Sequence, residues 1–256
     1  MMGFRVLLAK ELREQFRTGR LIAVAAVFVL FGILGPLTDR YLKEILDAVG
    51  TQGGGMTFTV PAPSLQGDLT QVLKNLSQFG IVCALLLGMG AVAWEKERGT
   101  AGMILTKPAS RASFLAAKLV AISLNLALAT FLGCGLGYLY TALLYPSNFP
   151  FGGYVAMAAI LWWTMVVFVA ITLLGSTLTR SAIAAAGLAF IAFLVLGILA
   201  SIPMIGPWSP LGILAPAQHL ALGEPAGDFL WPLVLNLALV PVLFGLAWLV
   251  FRRQEL

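Results

Sequence analysis

Six long stretches of this chain carry no Asp, Glu, Lys, Arg or His: Leu21–Leu37, Leu76–Trp94, Leu119–Leu144, Tyr154–Leu174, Ala182–Ile202 and Phe229–Phe251. Apolar runs of ~18 residues or more read as helices that cross a bilayer, because backbone polar groups in hydrocarbon must be satisfied within the segment. The first run is short, about 26 Å at 1.5 Å per residue; the third, close to 39 Å, must tilt or protrude. A soluble domain carries roughly a quarter charged residues, whereas this one has 11% charged and 60% hydrophobic. The expectation is an all-α polytopic membrane protein with six transmembrane helices in a single domain over 1–256.

Orientation follows from Lys and Arg. Arg5, Lys10, Arg13, Arg17 and Arg20 precede the first run, and Lys96, Arg98, Lys107, Arg111 and Lys118 fill the second connection. Arg180, Arg252 and Arg253 lie on the same side, against only Arg40, Lys43 and Lys74 on the other. Both termini are therefore expected in the cytoplasm, as an even number of spans requires. The formal charge of +5 then reports topology and anionic headgroups rather than nucleic acid. No small-x-small cleavage site follows the first run, so no cleaved leader is expected. Cys83 and Cys134 both fall inside runs, with no metal-ligand spacing around them.

Between the runs, residues 4–20 scan as a basic amphipathic helix. Phe4, Leu8, Leu12 and Phe16 share one arc of about 120°, with Lys10, Arg13, Arg17 and Arg20 opposite. The external connection 38–75 opens on a second amphipathic pattern from Asp39 (Leu42, Ile45, Leu46, Val49). It closes on an apolar stripe, Leu69, Val72, Leu73 and Leu76, and could cap a pathway or dock an extracytoplasmic partner. Before the last run, a proline-rich stretch around His219 without Lys or Arg suits a re-entrant segment. Asp39, Asp47, Asp68, Glu224 and Asp228 are scattered external carboxylates without the pairing a hydrolase needs. Gly133, Gly137 and Ala129 form a small-residue ridge on the third run, and Ala182, Ala185, Ala186 and Ala189 another on the fifth.

The densest charge lies in WEKERGTAGMILTKPASRASFLAAK, residues 94–118. Trp94 marks the interface, Gly99 and Thr100 supply a bend and a capping hydroxyl, and Met103, Ile104 and Leu105 form a short apolar helix. Lys107-Pro108 stops that helix and Ser110 caps the next. An apolar helix held between charged turns is a plug in need of a socket. The pattern E-x-E-x-G-T, an apolar stretch, then P-x-x-R and a Lys seven residues on, resembles the cytoplasmic signature of type 2 ABC exporter permeases. It stands here as Glu95, Glu97, Gly99, Thr100, Pro108, Arg111 and Lys118, and the N-terminal AKELREQFRTGR is similar to that family's connecting helix.

The resemblance implies that residues 99–107 are a coupling helix seated on a separate ATP-binding subunit, present in two copies and holding the ATP and Mg. No G-x-x-x-x-G-K-[ST] occurs in this chain, so neither cofactor nor catalysis is expected within it. It further implies a second permease copy, homologous or identical, a translocation pathway between the two, and a prokaryotic cytoplasmic membrane. Glu95 and Glu97 are expected to pair with basic residues of the connecting helix. Runs free of charge suit an apolar or amphipathic cargo (drug, peptide antibiotic or lipid), with Phe79, Met89, Trp162 and Met165 as candidate pathway-lining residues. The competing reading, a stand-alone secondary carrier or channel, requires ionisable groups at membrane depth, which the runs lack.

Overall fold

The computed structural model describes residues 2–52, 62–99, 110–145, 149–227 and 229–254. These form α1 (Met2–Arg17), α2 (Arg20–Gln52), α3 (Leu65–Glu97), α4 (Arg111–Leu144) and α5 (Phe151–Leu178). There follow α6 (Ala182–Ser201), a 3-10 turn at Gly206–Trp208, α7 (Leu214–Leu222) and α8 (Leu230–Arg252). No strand occurs among the described residues. Helices α2, α3, α4, α5, α6 and α8 are long and apolar enough to cross a membrane.

Several boundaries differ from those read from sequence. The N-terminal helix stops at Arg17 rather than reaching residue 20: Thr18 Oγ1 donates back to the Glu14 carbonyl at 2.7 Å and Gly19 takes φ +70. A left-handed residue of this kind ends a helix, and Gly adopts it without steric cost. Arg20 therefore opens α2. The separate helix expected from Asp39 is instead the continuation of α2, which passes through Pro36. Proline removes one ladder donor, and here Thr38 Oγ1 bonds the Leu34 carbonyl at 2.6 Å while Gly35 lies against Val72 of α3. Helix α4 begins eight residues before the third apolar run, capped by Ser110, whose hydroxyl accepts from Ser113 N at 3.0 Å. The stripe Leu69, Val72, Leu73 and Leu76 does become the buried face of α3, as its spacing predicts.

Helix α5 occupies the centre and packs on α3, α4, α6, α7 and α8. Its Leu161, Met165, Val167, Phe168 and Leu173 are fully buried. Near its end Ser176 Oγ accepts from two successive α3 amides, Val92 and Ala93, at 3.0 and 2.8 Å, and donates to Met89 O at 3.0 Å. The small residues of α6 face this core, with Ala185 and Ala189 at 0% and 1% exposure. Leu124, Leu128, Leu132, Leu136 and Leu143 form an exposed stripe on α4, which in a membrane faces lipid or another chain.

Helices α2 and α4 meet backbone to backbone. A Cβ on Gly133 would stand 2.5 Å from the Phe28 carbonyl oxygen, and one on Gly32 would collide with the Gly133 carbonyl. Without water-driven association in lipid, such close dispersion contact is what holds helices together. Gly133→Leu should therefore abolish a monodisperse, folded protein, whereas Gly135→Leu, at a position with open space around it, should leave its unfolding midpoint unchanged. Size-exclusion profiles and thermal unfolding in detergent read out both.

Candidate coupling site

Both flanks of the segment 100–109 are held by the ends of other helices. The segment itself lies outside the described residues, and with it Thr100, Met103, Ile104, Leu105, Lys107 and Pro108. Helix α3 ends at the Arg98 cap, and Gly99 turns the chain with φ +65.

Lys118 is the centre of the arrangement. Its side chain is 5% exposed, and Nζ lies 3.0 Å from Glu95 Oε1 of α3 and 3.1 Å from Glu11 Oε1 of α1. Lys10 completes the quartet at 3.3 Å from each carboxylate. A buried ammonium is tolerated only when paired, and here two carboxylates from two helices neutralise two lysines. Burial disfavours the charge on Lys10, yet Glu11 and Glu95 outweigh it and hold its pKa above the ordinary lysine value. The stability this adds is complete below the unfolded lysine pKa and is lost as pH rises through the folded one. One turn further along α1, Gln15 Oε1 accepts from Asn125 Nδ2 at 2.6 Å, deep on α4.

The neighbouring residues cap other helices. Lys96 Nζ donates to Thr177 O at 2.5 Å and to Thr179 O at 3.4 Å, at the end of α5. Arg111 Nη1 donates to Phe251 O, Arg252 O and Gln254 O at 2.8–2.9 Å, closing α8. Cations at these carbonyl ends oppose the negative pole of the helix dipole. Gln254 Nε2 ties α8 to α5 through Thr177 O at 2.8 Å, and Arg20 covers the Trp94 ring at 5.0 Å.

The predicted residues thus divide. Glu95, Lys10, Arg20 and Arg111 sit in this assembly, whereas Arg13, Arg17 and Glu97 are exposed. Glu97 has no ion pair among the described residues. The inward face of α1 is Leu7, Leu8, Glu11, Leu12 and Gln15, while Phe16, placed on the apolar arc by spacing, is 61% exposed. Glu11, Gln15 and Lys96 were not singled out from sequence. The available signal was that Glu11 and Gln15 stand at helical spacing from Leu8 and Leu12. The four candidate pathway residues do not share a surface. Met165 is fully buried within the chain, beside Thr130 Oγ1 at 3.7 Å. Trp162 Nε1 donates to Ser123 O at 2.9 Å, Phe79 stacks on Phe31, and Met89 lies at the Ser176 junction.

Removing one partner of a buried charge pair strands the other. Lys118→Met should destabilise the protein by about 3 kcal/mol. Adding Glu11→Gln and Glu95→Gln to it should recover most of the loss, as measured by denaturant unfolding in micelles.

A family model for ABC-2 family transporter proteins matches residues 5–256. A transmembrane protein of Bacillus subtilis (strain 168), YxlG, is 29% identical over 252 residues, covering 97% of each chain. A probable ABC transporter permease protein of Stutzerimonas stutzeri, NosY, is 28% identical over 186 residues, 70% of this chain and 61% of its own length. The corresponding protein of Pseudomonas aeruginosa (strain ATCC 15692 / DSM 22644 / CIP 104116 / JCM 14847 / LMG 12228 / 1C / PRS 101 / PAO1), also a probable ABC transporter permease, is 30% identical over 137 residues, 54% of this chain and 45% of its own length. The chain belongs to the ABC-2 transporter family, as a membrane-spanning ABC permease whose family works with an ATP-binding subunit.

Proposed function

We propose that this permease is the membrane subunit of an ATP-driven exporter in a prokaryotic cytoplasmic membrane, with both termini inside. Two permease copies, identical or homologous, enclose the pathway, and two ATP-binding subunits dock on the segment 100–109, with Met103, Ile104 and Leu105 as its apolar face. The observation that carries this reading is the anchoring of that segment. Its flanks reach α1 through Glu95 and Lys118, α5 through Lys96 and α8 through Arg111. A push on the segment would be delivered to three further helices at once, which is what alternating access by a rocking bundle requires.

In this arrangement Glu95 passes the motion of α3 to α1, and exposed Glu97 meets the ATP-binding subunit. Arg13 and Arg17, on the outer face of α1, face anionic headgroups or that same subunit. Lys107 and Pro108 end the docking helix. ATP and Mg bind in the partner, whose hydrolysis supplies the energy. The 3-10 turn and α7 form the re-entrant segment, and the cargo is apolar or amphipathic.

Co-purification from native membranes tests the first step. A Walker-motif ATPase should accompany the chain and be lost when residues 100–107 are replaced by Gly and Ser; an intact chain that moves solute without any ATPase would sink the proposal. The second test concerns transmission. With the ATPase still bound, Glu95→Gln should lower cargo-stimulated hydrolysis about tenfold, the scale of a typical coupling free energy. Undiminished stimulation would remove Glu95 from the transmission path.

A further inference from the structure

The opposite end of the bundle holds a second group of carboxylates, and its two members are treated very differently. Asp39 of α2 is satisfied: Oδ2 accepts from Tyr145 Oη at 2.7 Å and from Ser64 N at 3.0 Å. It thereby ties the end of α4 and the cap of α3 to α2. Burial, then the bond donated to Asp39, hold the Tyr145 phenol above the ordinary tyrosine range.

Asp68, in the first turn of α3, is 0% exposed, and neither of its carboxyl oxygens has a hydrogen-bond partner. The hydroxyls of Thr141 on α4 and Tyr154 on α5, 0% and 2% exposed, are also without partners. The Thr141 hydroxyl stands close enough to the Asp68 carboxyl to donate to it, but without good hydrogen-bond geometry. Tyr154 Oη stands 3.1 Å from where a Cβ on Gly137 would be, one helical turn from Thr141. The Gly32 carbonyl oxygen stands at the same 3.1 Å from that point, and Pro36 has no N–H to give it. Buried polar atoms are nearly always satisfied, so a cluster of poorly satisfied oxygens around one turn of α4, Asp68, Thr141 and Tyr154, marks a site rather than packing.

Charge sharpens the argument. An isolated carboxylate removed from water is prohibitively costly, and such a group neutralises instead. No cation pairs with Asp68 among the described residues. The groups that face it offer none: α2 brings Asp39 with exposed Arg40 beyond it, α4 brings Tyr145, and α5 brings Tyr154. Helix α6 has no titratable residue. On α7, His219 is engaged with Glu224 at 2.8 Å, both about half exposed. Helix α3 is 33 residues long, about 50 Å, so its first turns stand beyond a hydrocarbon core of about 30 Å, within reach of water once the helices part.

We propose that Asp68 is a proton-binding site: its carboxyl takes one proton from solvent when α2, α3, α4 and α5 close around it, and releases that proton when they separate. The bound proton converts an acceptor-only group into one that donates toward the neighbouring hydroxyl and carbonyl oxygens. In the orientation proposed above this end faces the outside, so closing of the outer end is linked to uptake of a proton from that side. The site belongs to the chain itself and does not depend on what docks at the other end.

Infrared spectroscopy of the full chain in lipid nanodiscs, in sodium-free choline buffer, tests this directly. A protonated-carboxyl C=O band should be present at mildly acidic pH, where exposed carboxylates are already ionised, disappear in Asp68→Asn and survive in Asp39→Asn. Absence of the band from the wild type, or its survival in Asp68→Asn, would overturn the assignment. Loss of the band on replacing choline by sodium would do the same, by giving the carboxylate to an alkali ion. Thermal unfolding supplies an independent check. A proton bound more tightly by the folded state stabilises it in acid, and this is lost as pH rises. The wild-type midpoint should fall from mildly acidic to mildly alkaline pH while that of Asp68→Asn stays level. A variant that follows the wild-type profile would count against the site.

Discussion

A lysine ammonium at 5% exposure, held 3.0 and 3.1 Å from carboxylates of two other helices, organises the charged end of this protein. In water such pairs contribute little. Sealed between α1, α3 and α4 the pair becomes obligatory, because each member left alone would be a buried charge. This turns three helices that share no covalent proximity into a single joint. The amphipathic helix α1 is consequently more than a surface float: Glu11 and Gln15 attach it at two successive turns, one to the ammonium and one to Asn125. A helix fixed in this way transmits a displacement, whereas one that rests in headgroups through apolar contact would slide.

The joint works only because the remaining bundle is stiff where it needs to be. Close backbone approach of α2 and α4 at Gly32 and Gly133 leaves no side chain to yield, so those two helices move as one. At the other side, Lys96 and Arg111 close the carbonyl ends of α5 and α8, and Gln254 links those two ends. The helix termini that would otherwise demand water are satisfied by cations from the flanks of one short segment. Satisfying the backbone in lipid and gathering four helices to one contact point are thus a single structural solution.

How much of this could be read in advance depends on whether a residue's role is set by its own neighbourhood or by distant partners. The membrane spans were legible because hydrocarbon imposes composition residue by residue. Ser110 was legible as a cap because capping is local. The role of Arg111 was not legible, because nothing in the order of residues shows that it will meet the carbonyls of α8, some 140 positions away. Glu11 was hidden for the same reason: one acid on a basic helix reads as a solvated face until Lys118 is placed beside it. Ideal helical angles put Phe16 on the apolar arc of α1; with Glu11 turned inward to the ammonium, Phe16 stands on the side of the helix away from the bundle. The end of the first apolar run at Leu37 set a boundary, and the continuation of α2 past it goes with the contact of Gly35 on Val72 and the Thr38 hydroxyl bond, of which the first is visible only once α3 is packed. Asp68 was seen as one scattered external carboxylate, since burial of a polar residue in an otherwise amphipathic turn leaves no mark in sequence.

Helix α4 brings these features into one mechanical element. Lys118 lies near its start, Gly133 and Gly137 in the middle against α2, and Thr141 near its end beside Asp68. From Lys118 to Thr141 the rise is about 35 Å, the full thickness of a bilayer core. A rod pinned at its centre by backbone contact and carrying a polar joint at each end is a lever. Tilting it to open the joint at one end shifts the position of the other. Ionic pairing at the charged end favours one tilt as long as all four partners stay in place, and neutrality of Asp68 favours closure at the far end. The two ends differ in what can disturb them: the quartet is sensitive to any displacement of Glu95, and the carboxyl to water reaching the first turn of α3. Because neither requires a charge at membrane depth, the span between them can remain wholly apolar, as its sequence is, and still communicate.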